Sequence, residues 1–125
     1  MFKNAENGEG LGPYIITRCE NIEKIQIIES LGGKVLQLKG TSRYITWEEI
    51  LNRLEDEGIR SVMIEGGSNV ILDCLTNKVC DTVIVTIAPC YLGGTVRADS
   101  KLKLQLEDVQ WKQFGRDIVM AARHY

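Results

Sequence analysis

Three times between Pro13 and Pro89 the hydrophobic pattern passes from a strand period to a helical one and back, and that alternation constrains the fold more than any other feature of this chain. Pro13–Thr17 is a short β-branched run. It gives way to Ile22, Ile25, Ile28 and Leu31 at helical spacing, with Asn21 placed to cap the helix and Gly32–Gly33 to stop it. Lys34–Leu38 is a second strand candidate. A T-x-x-E capping box, Thr46 and Glu49, opens the next helix, whose apolar face is Trp47, Ile50, Leu51 and Leu54 and whose stop is Gly58. Ser61–Ile64 is continuously apolar, the pattern of a strand covered on both faces. Ser68–Asn77 returns to the helical period with Val70, Ile71, Cys74 and Leu75 on one side, and Asp81–Pro89 reads as a strong strand.

Beyond Pro89 the helical period is gone. Leu102, Leu104 and Leu106 alternate with polar residues, and Arg116–Ala122 is a last apolar run, so both read as strands. The order β-α-β-α-β-α-β-β-β predicts an α/β fold with parallel strands joined by helical crossovers and antiparallel strands at the C-terminal end. Residues 1–12 are polar and glycine-rich and read as a flexible lead-in to one domain over 13–125.

With 125 residues, 44% of them apolar, and a net charge of −2, the chain is sized for one domain. It carries no basic stripe for nucleic acid or an anionic membrane. It contains no 18-residue apolar run, and Met1–Gly10 lacks the apolar segment of a secretory leader. The four cysteines, Cys19, Cys74, Cys80 and Cys90, include no C-x-x-C pair, and the single histidine is His124. That set predicts no metal site and fits reduced thiols in a cytoplasmic protein.

The candidate functional feature is the turn Glu65-Gly66-Gly67-Ser68-Asn69, where the Ser61–Ile64 run meets the third helix. In parallel α/β sheets ligands gather at the carboxyl ends of strands. The first amides of a helix have no intrahelical partners and, with the helix dipole, attract an anion. Glycine lets a pyrophosphate approach the backbone, and Ser68 is placed either to cap the helix or to donate to a phosphate oxygen. The competing reading is a plain strand-to-helix turn that needs positive φ, with Glu65 a solvated acid.

Three blocks carry a family resemblance: Gly58–Leu75, Asp81–Gly94 and Val109–Arg123. Together they resemble the C-terminal half of the fungal pyrimidine reductases of riboflavin synthesis, which are similar to the reductase domain of bacterial bifunctional riboflavin enzymes. The resemblance covers nearly the whole chain. It implies a dihydrofolate-reductase-like three-layer fold, mostly parallel with antiparallel C-terminal strands and without the N-terminal strands of longer members. It implies NADPH-dependent reduction of a ribosylamino-pyrimidinone phosphate, a homodimer, and Glu65, Gly66, Gly67, Ser68 and Asn69 as cofactor contacts. The paired glycines of the wider fold can be joined by a strained or cis peptide. Ser42 and Thr41 are placed toward the adenosine end, and Arg18 or Arg43 toward the 2′-phosphate, each arginine being equally readable as a surface residue. Pro89–Gly94 is placed beside the substrate or as a plain tight loop, and Trp111, Phe114, Leu31 and Leu54 as packing residues. Members are about twice as long, and the resemblance puts the nicotinamide pocket and most substrate contacts in the preceding half, so it assigns no catalytic residue here. The alternatives are a non-catalytic NADP-binding or oligomerisation fragment, and a pterin reductase of the same fold, against which the Ala88–Gly94 and Phe114–Arg123 blocks weigh.

Overall fold

The structure, a computed structural model, describes residues 2–3, 7–91 and 104–124. The chain divides into two compact units, Met1–Val62 and Met63–Tyr125.

The first unit contains β1 (Tyr14–Thr17), α1 (Ile22–Ser30), β2 (Lys34–Gln37) and α2 (Trp47–Asp56). β1 and β2 pair in parallel, Tyr14 opposite Lys34 through Thr17 opposite Gln37, with α1 as the crossover. Leu36 on β2 is completely buried, a placement that contributes about 1.5–3 kcal/mol relative to exposure. Both predicted caps are present. The Asn21 side chain accepts from the Lys24 amide. Thr46 Oγ1 accepts from the Glu49 amide at 3.3 Å, while Glu49 Oε2 accepts from the Thr46 amide at 3.0 Å. The apolar face of α2, Trp47, Ile50, Leu51 and Leu54, is half-buried throughout. Leu31, expected in the core, is instead exposed. It is the C-cap of α1, where the chain turns away through Gly32.

The second unit contains α3 (Ser68–Thr76), β3 (Thr82–Ile87), β4 (Leu106–Phe114) and β5 (Asp117–His124). Its sheet has the order β3-β5-β4 with both pairings antiparallel. Cys74 and Ala122 are its buried residues among those described. One sheet face carries Val83, Val85 and Ile87 beside Ala122, Met120 and Ile118, with Trp111 opposite Met120. Trp111 and Phe114 were expected to pack, yet they are 58% and 55% exposed. No described element covers them; the Lys112 amine sits 5.0 Å from the Phe114 ring centroid.

Two strand expectations change. Ser61–Ile64 forms no ladder, and Val62 and Met63 are exposed. A continuous apolar run favours extended backbone, but a strand also needs a partner, and none of the described segments pairs with it. The Leu102–Leu106 alternation lies partly outside the described residues, and β4 begins only at Leu106. Further along β4 a bulge sets Asp108 and Val109 opposite the single residue Ala122, with Asp108 at φ 50°.

The helices α1, α2 and α3 end alike. The amides of Gly33, Ile59 and Val79 reach back to the carbonyls of Ile28, Leu54 and Cys74 at 3.0, 3.1 and 3.1 Å. The preceding residue is left-handed in each case: Gly32 at φ 80°, Gly58 at 79° and Lys78 at 54°. These are Schellman motifs, and the third uses lysine where the other two use glycine.

Candidate functional site

Glu65–Asn69 lie in the second unit and are exposed. Gly67, not Ser68, is the N-cap of α3, at φ −68° and ψ 169°, and no side chain caps the helix. Its carbonyl accepts from the amides of Val70 and Ile71 at 3.1 and 3.2 Å. The Ser68 and Asn69 amides belong to the first turn, which has no intrahelical acceptor to offer them. The other helices differ. α1 and α2 have side-chain caps and acids in their first turns, Glu23 in one and Glu48 and Glu49 in the other. The first turn of α3 has no acid, so its positive dipole end is uncompensated there.

The two glycines have different steric reasons. Neither has positive φ, which removes the reading of a turn that needs it, and no described peptide bond is cis. A Cβ on Gly66 would lie 3.0 Å from the Val70 Cβ, so that glycine relieves crowding inside the turn. A Cβ on Gly67 would meet nothing within 4 Å. The fold therefore asks for no glycine at 67, and among the described residues the space a Cβ there would take is open.

The remaining candidates lie in the first unit. Ser42 is exposed, and its hydroxyl donates to the Tyr44 carbonyl at 3.0 Å and accepts from the Tyr44 amide at 3.2 Å. Thr41 is exposed beside it. Arg18 is engaged as a structural clamp. It donates to the Ser42 carbonyl and the Lys39 carbonyl, each at 3.0 Å, and to Glu49 Oε1 at 2.5 Å. The Thr46 amide, then its hydroxyl, and Arg18 hold the Glu49 carboxyl below the usual glutamate range. With these bonds Arg18 ties the loop after β2 to the start of α2, which leaves Arg43, exposed and without a side-chain partner among the described residues, as the freer base. In the Pro89–Gly94 block, the Cys90 amide donates to the Ala88 carbonyl at 2.9 Å and Tyr91 is fully exposed. Leu92, Gly93 and Gly94 lie outside the described residues.

One cluster was not anticipated. Cys80 Sγ lies 3.7 Å from His124 Nδ1. These residues are far apart in sequence, and the signal that unites them is the antiparallel pairing of β3 with β5, which sets Thr82 opposite Arg123.

The RibD C-terminal domain family matches residues 9–120. A reductase of Candida glabrata, 2,5-diamino-6-ribosylamino-4(3H)-pyrimidinone 5′-phosphate reductase, is 39% identical across 98% of this chain and 50% of its own length. The enzyme of the same name from Debaryomyces hansenii is 32% identical across 94% of this chain and 51% of its own. The solved riboflavin biosynthesis reductase of Saccharomyces cerevisiae superposes with a TM-score of 0.80 at 27% identity, over 100% of this chain and 61% of that one. The chain spans about half the length of the curated relatives it matches. The α/β reductase fold expected from the sequence is thus the fold of its solved relatives. With a family match running through both units, the chain belongs to the RibD C-terminal domain family.

Proposed function

We propose that this chain is the cofactor-holding part of an NADPH-dependent reductase of riboflavin biosynthesis. Its substrate is 2,5-diamino-6-ribosylamino-4(3H)-pyrimidinone 5′-phosphate, and its product the ribitylamino compound. The observation that carries this reading is the similarity to fungal pyrimidinone phosphate reductases over nearly the whole chain. The open, uncapped start of α3 supports the placement of the cofactor. The Ser68 and Asn69 amides receive a pyrophosphate oxygen, Gly67 admits it, and the Ser68 hydroxyl donates to a neighbouring oxygen. Glu65, acceptor-only when ionised, faces ligand hydroxyls and not phosphate. When bound, NADPH supplies the hydride; the chain's own residues bind and orient it. The protein works in the cytoplasm, consistent with four free thiols. It works as a homodimer, consistent with the exposed apolar side chains of its three-stranded sheet.

A second reading, NADP binding without turnover, is favoured by one observation: the chain spans about half the length of the curated relatives it matches. The test follows NADPH consumption with the pyrimidinone substrate, using the chain alone and mixed with the N-terminal segment of the Saccharomyces cerevisiae reductase. Consumption that appears on mixing is the expected result. NADPH binding without consumption in either case establishes the second reading, and absence of binding rejects both.

A further inference from the structure

The Schellman turn at the end of α3 does more than stop a helix. Lys78 in the left-handed region folds the chain back, and Val79 bonds the Cys74 carbonyl. Cys80, the next residue, therefore follows a turn that closes back onto Cys74, with the Val79 amide 3.1 Å from the Cys74 carbonyl. On the other side of Cys80 stands His124, at 3.7 Å from sulfur to Nδ1. The imidazole is held by the end of β5, where the His124 amide donates to the Asp81 carbonyl at 3.3 Å. Three groups with thiol chemistry thus converge inside one unit: a buried cysteine, a half-buried cysteine and a half-buried histidine. The reductase reading uses none of them.

We propose that Cys80 is a peroxide-reactive thiol, with His124 as its proton acceptor and Cys74 as the resolving thiol that closes a Cys74–Cys80 disulfide. In the first step the Cys80 proton passes to His124 Nδ1, in the tautomer that carries its own proton on Nε2. The sulfur attacks one oxygen of hydrogen peroxide, the O–O bond breaks, and the leaving hydroxide takes the proton from His124. The products are a sulfenic acid on Cys80 and one water. In the second step the Cys74 sulfur attacks the Cys80 sulfur and the S–O bond breaks. The leaving hydroxide takes the Cys74 proton as a second water. Both sulfurs are oxidised and one peroxide is reduced. The roles follow from the surroundings. Burial, then Cys80 itself, pushes the Cys74 thiol up, which disfavours it as the first thiol to meet peroxide. Cys80 is the partner with solvent access and a base.

Cys19 and Cys90 supply an internal reference, because both are exposed and neither has a histidine beside it. The full chain is treated with hydrogen peroxide, and the state of each cysteine is read by differential alkylation and peptide mass spectrometry. Cys80 is expected to oxidise about a hundredfold faster than Cys19 or Cys90, the lower end of what a positioned base supplies. The product is the Cys74–Cys80 disulfide. Cys74→Ala should stop the reaction at the sulfenic acid, trapped by a cyclic 1,3-dione. His124→Gln should bring the Cys80 rate down to that of Cys90 in the same molecule, a ratio that a general loss of stability would not select. Preferential oxidation of Cys19 or Cys90, or a Cys80 rate unchanged in His124→Gln, overturns the proposal.

Discussion

Replacing Lys78 with glycine should stabilise the second unit. Lys78 occupies the left-handed position of the α3 Schellman motif at φ 54°, where α1 and α2 have Gly32 and Gly58. A side chain with a Cβ loses roughly 1–2 kcal/mol in that region, because the Cβ crowds the following carbonyl. Glycine removes the crowding but loses more chain entropy on folding, which takes back about 0.5–1 kcal/mol. Lys78 is exposed and has no side-chain hydrogen bond or ion pair among the described residues, so no contact is lost. The net expectation for Lys78→Gly is a gain of about 0.5–1 kcal/mol, or a Tm rise of about 3 °C for a chain this size. Because the chain has two compact units, amide hydrogen exchange should read the effect locally. Protection should rise in α3 and stay unchanged in α2. The reverse substitution, Gly58→Lys, should cost a similar amount and act on α2. Equal or lower protection of α3 in Lys78→Gly would refute the strain argument.

Thr46→Ala should destabilise the first unit by about 0.5–2 kcal/mol, since it removes the hydroxyl that accepts from the Glu49 amide; urea denaturation measures it. Acid should weaken the same unit. Glu49 is held low by the Thr46 amide and hydroxyl and by Arg18. Glu57 is held low by its hydrogen bond to Lys34, then by the charges of Lys34 and Arg53. Both carboxyls are depressed in the folded state, so their stabilisation is present above the ordinary glutamate range and is lost as pH falls through the folded values. Lys34 is raised by Glu57, so its share is present below the ordinary lysine range and is lost as pH rises through the folded value. Denaturation midpoints measured down an acid series should fall for the wild type and fall less for a Glu49→Gln, Glu57→Gln double variant.

Local signals were the legible part of the sequence. The Thr46–Glu49 box, the Asn21 cap and the stops at Gly32 and Gly58 each depend on atoms a few residues apart, and each forms as read. The start of α3 was legible to within one residue: of the two roles open to Ser68, the cap position belongs to Gly67. What failed depends on distant partners. Ser61–Ile64 has a strand's composition but no ladder. The β4 alternation is hidden because the bulge at Asp108–Val109 shifts its phase, so Leu106 and Trp111 do not share one simple period. Leu31, Trp111 and Phe114 are apolar, but apolarity does not name the surface that would cover them. At the site, the turn residues were legible as a block, and the split between Gly66 and Gly67 needed coordinates. Cys80 and His124 were visible only as isolated residues until strand pairing joined them.

The most direct measurement is calorimetric titration of NADPH into the wild-type chain and into Gly67→Val. Valine accepts the extended backbone at 67, and its Cβ meets nothing within 4 Å, so the variant should fold, as circular dichroism will check. If the α3 start cradles the pyrophosphate, the wild type binds NADPH and the variant binds at least about tenfold more weakly, a loss of about 1.4 kcal/mol. Equal affinity in the two folded proteins would contradict a cofactor site at Glu65–Asn69.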